Sequence, residues 1–560
     1  MRYDTKMRGE FTPDFPVMKK NLMLNGFIWE NDGKVNIEWF QGLLKERESE
    51  AAQDLIDLFS KRGMDSLCDV DGAFLLALYD QYRGRGYLYR SLLCKTSLYY
   101  RFDNGKLKWS MNPVDLLNNN ILDHIQTELL LVACFNNNPP NNESFFQDVY
   151  RLPPGYSLTY MNGDIKIEQI EKLEVKKGNQ YRSIWSYVEE ANELVDKTFK
   201  RRFTSNDTVA VQLSGGIDSA SVLSRLKHIG VPVIAFHWSF KGIDAGDETS
   251  DARLITEYLD VPLKEIEVST VLKHKNYIDQ NWKFFTPYGH SFYKLFELTA
   301  QKIKEYNIDT VTNGHFGDHI FGPLPDISMN NHLRTIPIRE RFKYWFESIG
   351  TDRSSPALEK EWEEISPKMF LYKDILTNKS IELARSKSEL LRFPKNMKEA
   401  FLEILNHETE SSLQSNLFEK NIHMMYPLAS RELIEFALRI PYAYRNIPTG
   451  GIWVDKPILR LMNMGRLPSK IVSKNYNYNM GALDEQYVIQ NIGQVKLLLE
   501  DSFLTQYKII DPDKLRKALE NKKMAAKLAT SLISCCMVEI WLRSLHRIDV
   551  KKLTKEEQHV

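Results

Sequence analysis

The sequence predicts an α/β protein in two parts: a layered N-terminal part built on antiparallel strands, and a C-terminal part with a parallel sheet and a helical extension. Three observations carry this reading. Between Met18 and about Tyr160, short apolar runs are separated by turn residues. From Ser183 onward, strand-like runs alternate with stretches of helical period. Between these patterns, Thr208 to Ser219 (TVAVQLSGGIDS) joins a β-branched run to a Gly-Gly turn. A chain of 560 residues exceeds one core, and the change of period divides it into residues 1–175 and 176–560.

In the first part, strands are expected at Ala73 to Tyr79, Gly86 to Tyr89, Ser97 to Phe102 and Lys106 to Ser110. Asn104-Gly105 is a strong hairpin signal, because both residues tolerate the positive φ of a tight turn. The Asn- and Pro-rich tracts between Asn118 and Asn142 flank one helix, and Arg151 to Gly155 (RLPPG) marks a rigid turn. Lys172 to Tyr181 reads as a linker.

In the second part, a helix over Ser183 to Phe199 leads to a strand over Thr208 to Leu213, apolar enough to be buried on both faces. Apolar residues from Ala220 to Ile229 recur at helical spacing, predicting a helix from Ser219. Strands follow at Pro232 to Trp238, Leu263 to Val268 and Asp309 to Thr312, with helices over Glu248 to Leu259 and Phe292 to Tyr306. Beyond Pro325 the chain reads as largely helical, and it holds no internal repeat. The apolar stretch Ala529 to Leu542 is shorter than a membrane span and carries Ser531, Ser534 and Glu539, so a buried helix is expected.

The Ser-Gly-Gly-Ile-Asp-Ser turn has two readings. Its glycines serve packing, or they let the backbone approach a ligand while the next helix points its free N–H groups at an anion. Asp218 then stands where it can hold Mg²⁺ against phosphate. Thr312 to Gly322 (TNGHFGDHIFG) follows a later strand, so it belongs at the same carboxyl edge of the sheet, and Asp318 offers a second carboxylate for that ion. The candidate ATP set is Leu213, Ser214, Gly215, Gly216, Asp218, Ser219, Phe236, Trp238 and Gly314, with Mg²⁺ on Asp218 and Asp318. Phe236 and Trp238 fit an adenine wall or ordinary core packing. Asp247 and Glu248 fit helix capping, with a place for Glu248 near substrate as the alternative. Residues Phe342 to Asn378 fit a solvated helix pair or the wall of a peptide channel.

SGGIDS followed by GHFGDHIFG resembles the synthetase domain of the asparagine synthetase superfamily. That resemblance implies a pyrophosphate-loop ATPase domain that adenylates a carboxylate. Tyr426 to Pro441 (YPLASRELIEFALRIP) and Lys456 to Pro468 (KPILRLMNMGRLP) resemble two further family segments. Gly72-Ala73-Phe74, Leu98-Tyr99-Tyr100, Trp109-Ser110 and Pro153-Pro154-Gly155 are similar to the family's N-terminal glutaminase-like (Ntn-type) domain. The family's glutamine-hydrolysing members carry cysteine directly after the initiator Met, where this chain has Arg2; its first cysteine is Cys68. The resemblance thus implies a glutaminase fold without its nucleophile.

Superfamily members without that cysteine include β-lactam synthetases and lasso-peptide cyclases, and the Gly-His-Phe-Gly-Asp-His turn is more similar to the cyclases. The implied reaction adenylates an Asp or Glu side chain of a core peptide and closes an isopeptide macrolactam with the peptide's N-terminal amine. His315 stands where amidotransferases carry Glu and β-lactam synthetases Tyr; it acts as base or only hydrogen-bonds the loop. The family's Pro-Phe-Leu-Asp aspartate is Ser430 here. Its essential lysine aligns with Tyr476, and Lys474 is the candidate replacement. Implied partners are the precursor peptide, a leader-peptide-binding protein and a cysteine protease. Alternatives are a small-molecule β-lactam-type or ammonia-dependent asparagine synthetase, or a non-catalytic ATP-binding relative.

Lys plus Arg equals Asp plus Glu at 74 each, so nothing global favours nucleic acid or an anionic membrane. Five cysteines (Cys68, Cys94, Cys134, Cys535, Cys536) form no CxxC pair, which fits a reducing cytoplasm. The charged N-terminus lacks the apolar core of a signal peptide, and a cytoplasmic location is expected.

Overall fold

The computed structural model describes residues 8–11, 22–29, 36–39, 63–64, 67, 71–80, 85–117, 120–135, 138–174, 182–203, 205, 208–241, 247–269, 286–288, 293–323, 337–348, 373–386, 396–407, 422–474 and 481–557. Arg2, Cys68, Tyr476 and most of 342–378 lie outside them. Two antiparallel sheets form the N-terminal part. One has the order β1-β7-β6-β8 (Arg8–Phe11, Lys106–Ser110, Leu98–Asp103, Tyr150–Leu152). The other runs β10-β9-β5-β4-β2-β3 (Asp164–Gln169, Tyr156–Met161, Arg85–Arg90, Asp71–Asp80, Leu22–Trp29, Asn36–Trp39). The sheets share a core: Leu75, Ala77 and Leu88 from one meet Leu98, Tyr100, Leu107 and Trp109 from the other. The two-residue spacing of Leu75 and Ala77, of Leu98 and Tyr100, and of Leu107 and Trp109 selects that inward face. Asn104 (φ 49°) and Gly105 (φ 72°) make the expected hairpin turn, pairing Asp103 with Lys106.

The second part holds a five-stranded parallel sheet, β13-β12-β11-β14-β15 (Leu263–Glu267, Val233–Ser239, Val209–Gln212, Thr310–Thr312, His423–Met425). Val209, Ala210 and Val211 at the centre are at most 2 % exposed, as a strand covered by helices on both faces must be. The helix after β11 begins at Ile217, two residues earlier than the apolar period suggests. Gly216 is extended (φ −86°, ψ 166°), so helical geometry starts directly after it. The edge strand β15 is an addition to the sequence reading; His-Met-Met carries no β-branched residue and is recruited by pairing with β14.

The last helix, Ala529–Glu557, buries Leu532, Cys535, Cys536, Ile540, Trp541 and Leu542, in agreement with the buried-helix expectation. It packs on the helix Thr127–Cys134 of the N-terminal part, with the Phe146 and Trp541 rings 5.7 Å apart. Asp549 accepts from the backbone N–H of Ile121 at 2.8 Å, so the end of the chain ties back onto its first part. Among the described residues no helix is long and apolar enough to cross a membrane.

Candidate active site

The centre of the sheet places two turns side by side. β11 and β14 are adjacent and parallel, Val209 pairing Thr310 and Val211 pairing Thr312, so both chains leave the sheet at the same edge. After β11, the Ser214 and Ser219 hydroxyls lie 3.0 Å apart, and Ser219 accepts from the Ser214 N–H (3.1 Å). Gly215 has φ 96°, and a Cβ there would stand 2.8 Å from the Glu248 Cβ; only glycine fits. Gly216 caps the helix Ile217–His228 without a side chain, leaving the helix N-terminus facing the turn as an anion cradle. After β14, a Cβ on Gly314 would lie 2.4 Å from the Ser219 nitrogen, and one on Gly317 would lie 2.1 Å from Asp218 Oδ1. The two glycines are what let the second turn rest on the first helix N-terminus.

Asp218 and Asp318 meet around one cation, the ammonium of Lys456. Its Nζ is 2.5 Å from Asp218 Oδ2 and 2.5 Å from Asp318 Oδ1. Lys456 is 1 % exposed and left-handed (φ 51°), directly before Pro457 opens a helix. Burial opposes its charge, but the two carboxylates outweigh burial and hold the ammonium above the ordinary lysine range. Asp218 is pushed up to about 6 by burial, against the pull of Lys456 and with the Asp318 charge adding to the rise. Asp218 Oδ1 has no hydrogen-bond partner among the described residues. The pair of carboxylates, expected from the sequence to share Mg²⁺, is bridged here by the Lys456 ammonium. Lys456 has no role assigned from the sequence alone; its Lys-Pro opening before a helical run is the signal that marks it.

Lys474 is 4 % exposed at its side chain and donates to Glu248 and, at 2.9 Å, to Asp251 Oδ2; Lys470 holds the other oxygen of Asp251 at 2.7 Å. This network lies behind Gly215, whose absent side chain makes room for Glu248. Burial pushes the Glu248 carboxyl up against the pull of Lys474. Glu248 stands at the N-cap of the helix Thr249–Leu259 without a side-chain capping bond, while Asp247 before it accepts from the N–H of Thr249 (3.1 Å) and Phe240 (3.2 Å).

His315 sits among rings, 4.7 Å from Phe316 and 5.4 Å from Tyr426 between centroids, and its backbone N–H donates to Asn313 Oδ1 at 3.0 Å. Burial and the neighbouring His315 hold His319 down to about 4, so it is neutral at physiological pH. Phe316 has φ 76°, a left-handed conformation rare for a bulky residue and worth of order 1–3 kcal/mol of strain. The surrounding packing must sustain it.

Phe236 is 1 % exposed and meets Tyr306 edge-on at 6.1 Å. Trp238 donates to Thr299 (2.8 Å) and meets Phe296 at 4.9 Å. Trp238 thus packs on the helix Tyr293–Lys304 and Phe236 against Tyr306 just after that helix. On the opposite face of β12, His237 Nδ1 donates to the Leu213 carbonyl at 2.8 Å, and its Nε2 lies 3.1 Å from Thr249 Oγ1. His237 is a residue the sequence reading missed; it ties the base of the first turn to the start of the next helix. Ser430 is 0 % exposed and caps the helix Arg431–Ala437, its Oγ accepting from the Leu433 N–H at 3.1 Å. That contact gives Ser430 a structural use.

An asparagine synthase model matches residues 190–543, and a glutamine amidotransferase domain model matches residues 16–171. A putative glutamine-hydrolysing asparagine synthetase 2 of Methanocaldococcus jannaschii is 22 % identical over 300 residues, covering 50 % of this chain and 56 % of that protein. A tRNA-specific 2-thiouridylase, MnmA, of Pseudothermotoga lettingae is 27 % identical over 165 residues, covering 26 % and 45 %. The chain thus spans about half the length of the curated relatives it matches. Solved structures resembling it include the U34-tRNA thiolase NcsA of Methanococcus maripaludis with its [4Fe-4S] cluster (16 % identity, 60 % of this chain and 80 % of that one, TM-score 0.23). Another is the NH3-dependent NAD synthetase of Campylobacter jejuni with nitrate (15 %, 42 % and 96 %, TM-score 0.19). With the two turns converging at the edge of its parallel sheet and a family match over more than half its length, the chain belongs to the asparagine synthase family, with a glutaminase-like domain preceding the synthetase.

Proposed function

We propose that this chain is an ATP-dependent amide-forming ligase, and more specifically a lasso-type peptide cyclase. The observation that carries the ligase reading is the convergence of the Ser214–Ser219 cradle with Asp218, Asp318 and Lys456 at one sheet edge. Phosphates fit the open helix N-terminus and the glycine-lined approach. Asp218 and Asp318 are the residues that would hold Mg²⁺, which would supply charge neutralisation for the pyrophosphate there. Lys456 brings a cation to the same place.

In the proposed reaction a substrate carboxylate oxygen attacks the α-phosphorus of ATP and pyrophosphate leaves. The substrate's own amine then attacks the acyl carbon and AMP leaves, while the amine's proton passes to a base. His315 is the proposed base. Holding amine and carbonyl within one bound peptide is where the barrier falls, by up to about 7–11 kcal/mol. The Gly-His-Phe-Gly-Asp-His turn supports the peptide substrate, with a leader-binding protein and a cysteine protease as proposed partners.

ATP–pyrophosphate exchange tests the reading. Exchange with a leaderless core peptide, and none with aspartate with or without ammonium, is the expected result. Turnover of aspartate would replace the peptide reading with an ammonia-dependent synthetase, and no exchange with any acid would leave an ATP-binding relative without turnover. For His315→Ala we expect exchange with the core peptide to persist while cyclised product falls by roughly 10²–10⁴-fold. Joint loss of both steps would make His315 a structural residue.

A further inference from the structure

Phe316 holds the turn that carries His315 and Asp318, and part of what surrounds its ring comes from the other end of the chain. Lys95 lies in the segment joining β5 to β6 of the glutaminase-like domain and is 3 % exposed. Its Nζ donates to the Ile404 carbonyl in the last turn of the helix Met397–Asn406, and it stands 4.8 Å from the centroid of the Phe316 ring. Two further cations from the same domain reach the same helix end. Arg90 donates to Asn406 Oδ1 (3.1 Å) and Arg151 to the Asn406 carbonyl (3.1 Å). A helix C-terminus presents unpaired carbonyls and the negative end of the dipole, so three cations there form a consistent clasp.

The clasp itself is structural, but Lys95 does more than the two arginines. A buried ammonium over an aromatic face is attracted to it. Phe316 is 1 % exposed with φ 76°, a backbone state that lasts only when its surroundings over-determine it. The turn it anchors is short: Gly317 N–H bonds the Gly314 carbonyl (3.1 Å), Ile320 N–H that of Phe316 (2.9 Å) and Gly322 N–H that of Asp318 (2.8 Å). A change of φ at Phe316 would displace His315 on one side and Asp318 on the other.

We propose that the glutaminase-like domain braces the synthetase site, with Lys95 as a positioning residue that holds Phe316 in its left-handed state and so sets the 314–322 turn. The brace is a property of the free protein and does not depend on which acid or amine the enzyme uses. Only its effect on turnover rests on the ligase reading above.

Amide hydrogen exchange on the full-length protein is the direct test. In Lys95→Met the amides of 317–322 are expected to exchange roughly tenfold faster or more, and Lys95→Arg, which keeps a cation over the ring, is expected to restore most of the protection. Asn406→Ala removes the Arg90 contact and leaves Lys95 in place; it should loosen 400–407 but not 317–322. Should Lys95→Met loosen the whole chain, Phe316→Leu supplies the second handle. It keeps an apolar side chain without the π face, so it should loosen 317–322, with no further loss when combined with Lys95→Met. Unchanged protection of 317–322 in both single variants, or an equal loss in Asn406→Ala, would overturn the brace. In ATP–pyrophosphate exchange, Lys95→Met should lower kcat/KM and Lys95→Arg should regain it. Absence of exchange in the unmodified enzyme would sink the ligase reading and leave the hydrogen-exchange result standing.

Discussion

At the scale of single residues, Lys456 decides how the two carboxylates behave. Without a cation between them, Asp218 and Asp318 face each other with one of the pair buried, a repulsive arrangement. Lys456→Met is therefore expected to abolish exchange and to lower stability by about 2–3 kcal/mol, below the usual figure for a broken buried pair because Asp318 is largely exposed. The same change empties the cation seat, so added Mn²⁺ should raise the melting temperature of Lys456→Met more than that of the parent protein. An equal response of the two proteins would mean that metal and lysine do not share that place. Asp218→Ala should likewise abolish exchange; retained exchange would remove Asp218 from the site. The carboxylates were legible in the sequence because each follows a glycine-rich turn after an apolar run. Lys456 was not assigned, since its place is set by contacts more than a hundred residues apart in the chain.

At the scale of elements, the site exists because two parallel strands are neighbours and two glycines let their turns touch. Gly317 tests this. A methyl group there would meet Asp218 Oδ1 at 2.1 Å and also the Asp218 Cβ at 2.8 Å, which turning the carboxylate aside cannot relieve, so Gly317→Ala should cost more than about 2 kcal/mol and eliminate exchange. Gly230→Ala is the comparison: φ is 82° with nothing within 4 Å, so only backbone strain of about 1 kcal/mol applies and exchange should survive. Equal effects of the two substitutions in urea unfolding would refute the close-approach argument. Most elements of this sheet were readable, because β-branched runs bounded by turns recur between helical periods. β15 was not, since three residues without propensity become a strand only through the neighbour they pair with. Phe236 and Trp238 show a similar limit: period two places both on one face of β12, but the sequence does not say that Tyr306 and Phe296 meet them there.

For the molecule as a whole, burial of neutral histidines predicts how stability changes with acid. His423 on the sheet edge is held down to about 3 by burial, with Lys304 adding, and His319 is held down to about 4 by burial and His315. An unfolded histidine titrates near 6.5, so as the pH falls below that value the unfolded chain takes up protons that the folded chain refuses. The stability from each histidine is present above about pH 6.5 and is lost down to about pH 4 for His319 and pH 3 for His423. At pH 4.5 each loss amounts to about 2–3 kcal/mol. Asp218 acts in the opposite sense. Its folded value of about 6 exceeds that of an unfolded aspartate, so between those values the folded state holds the extra proton and gains roughly 2 kcal/mol as pH falls. Two losses outweigh one gain, so the urea midpoint should drop between pH 7 and pH 4.5. His423→Gln removes one of the losses without touching the turn at Phe316, and its midpoint should fall by less over the same interval. A pH dependence identical to that of the parent protein would mean that His423 does not contribute to the acid loss.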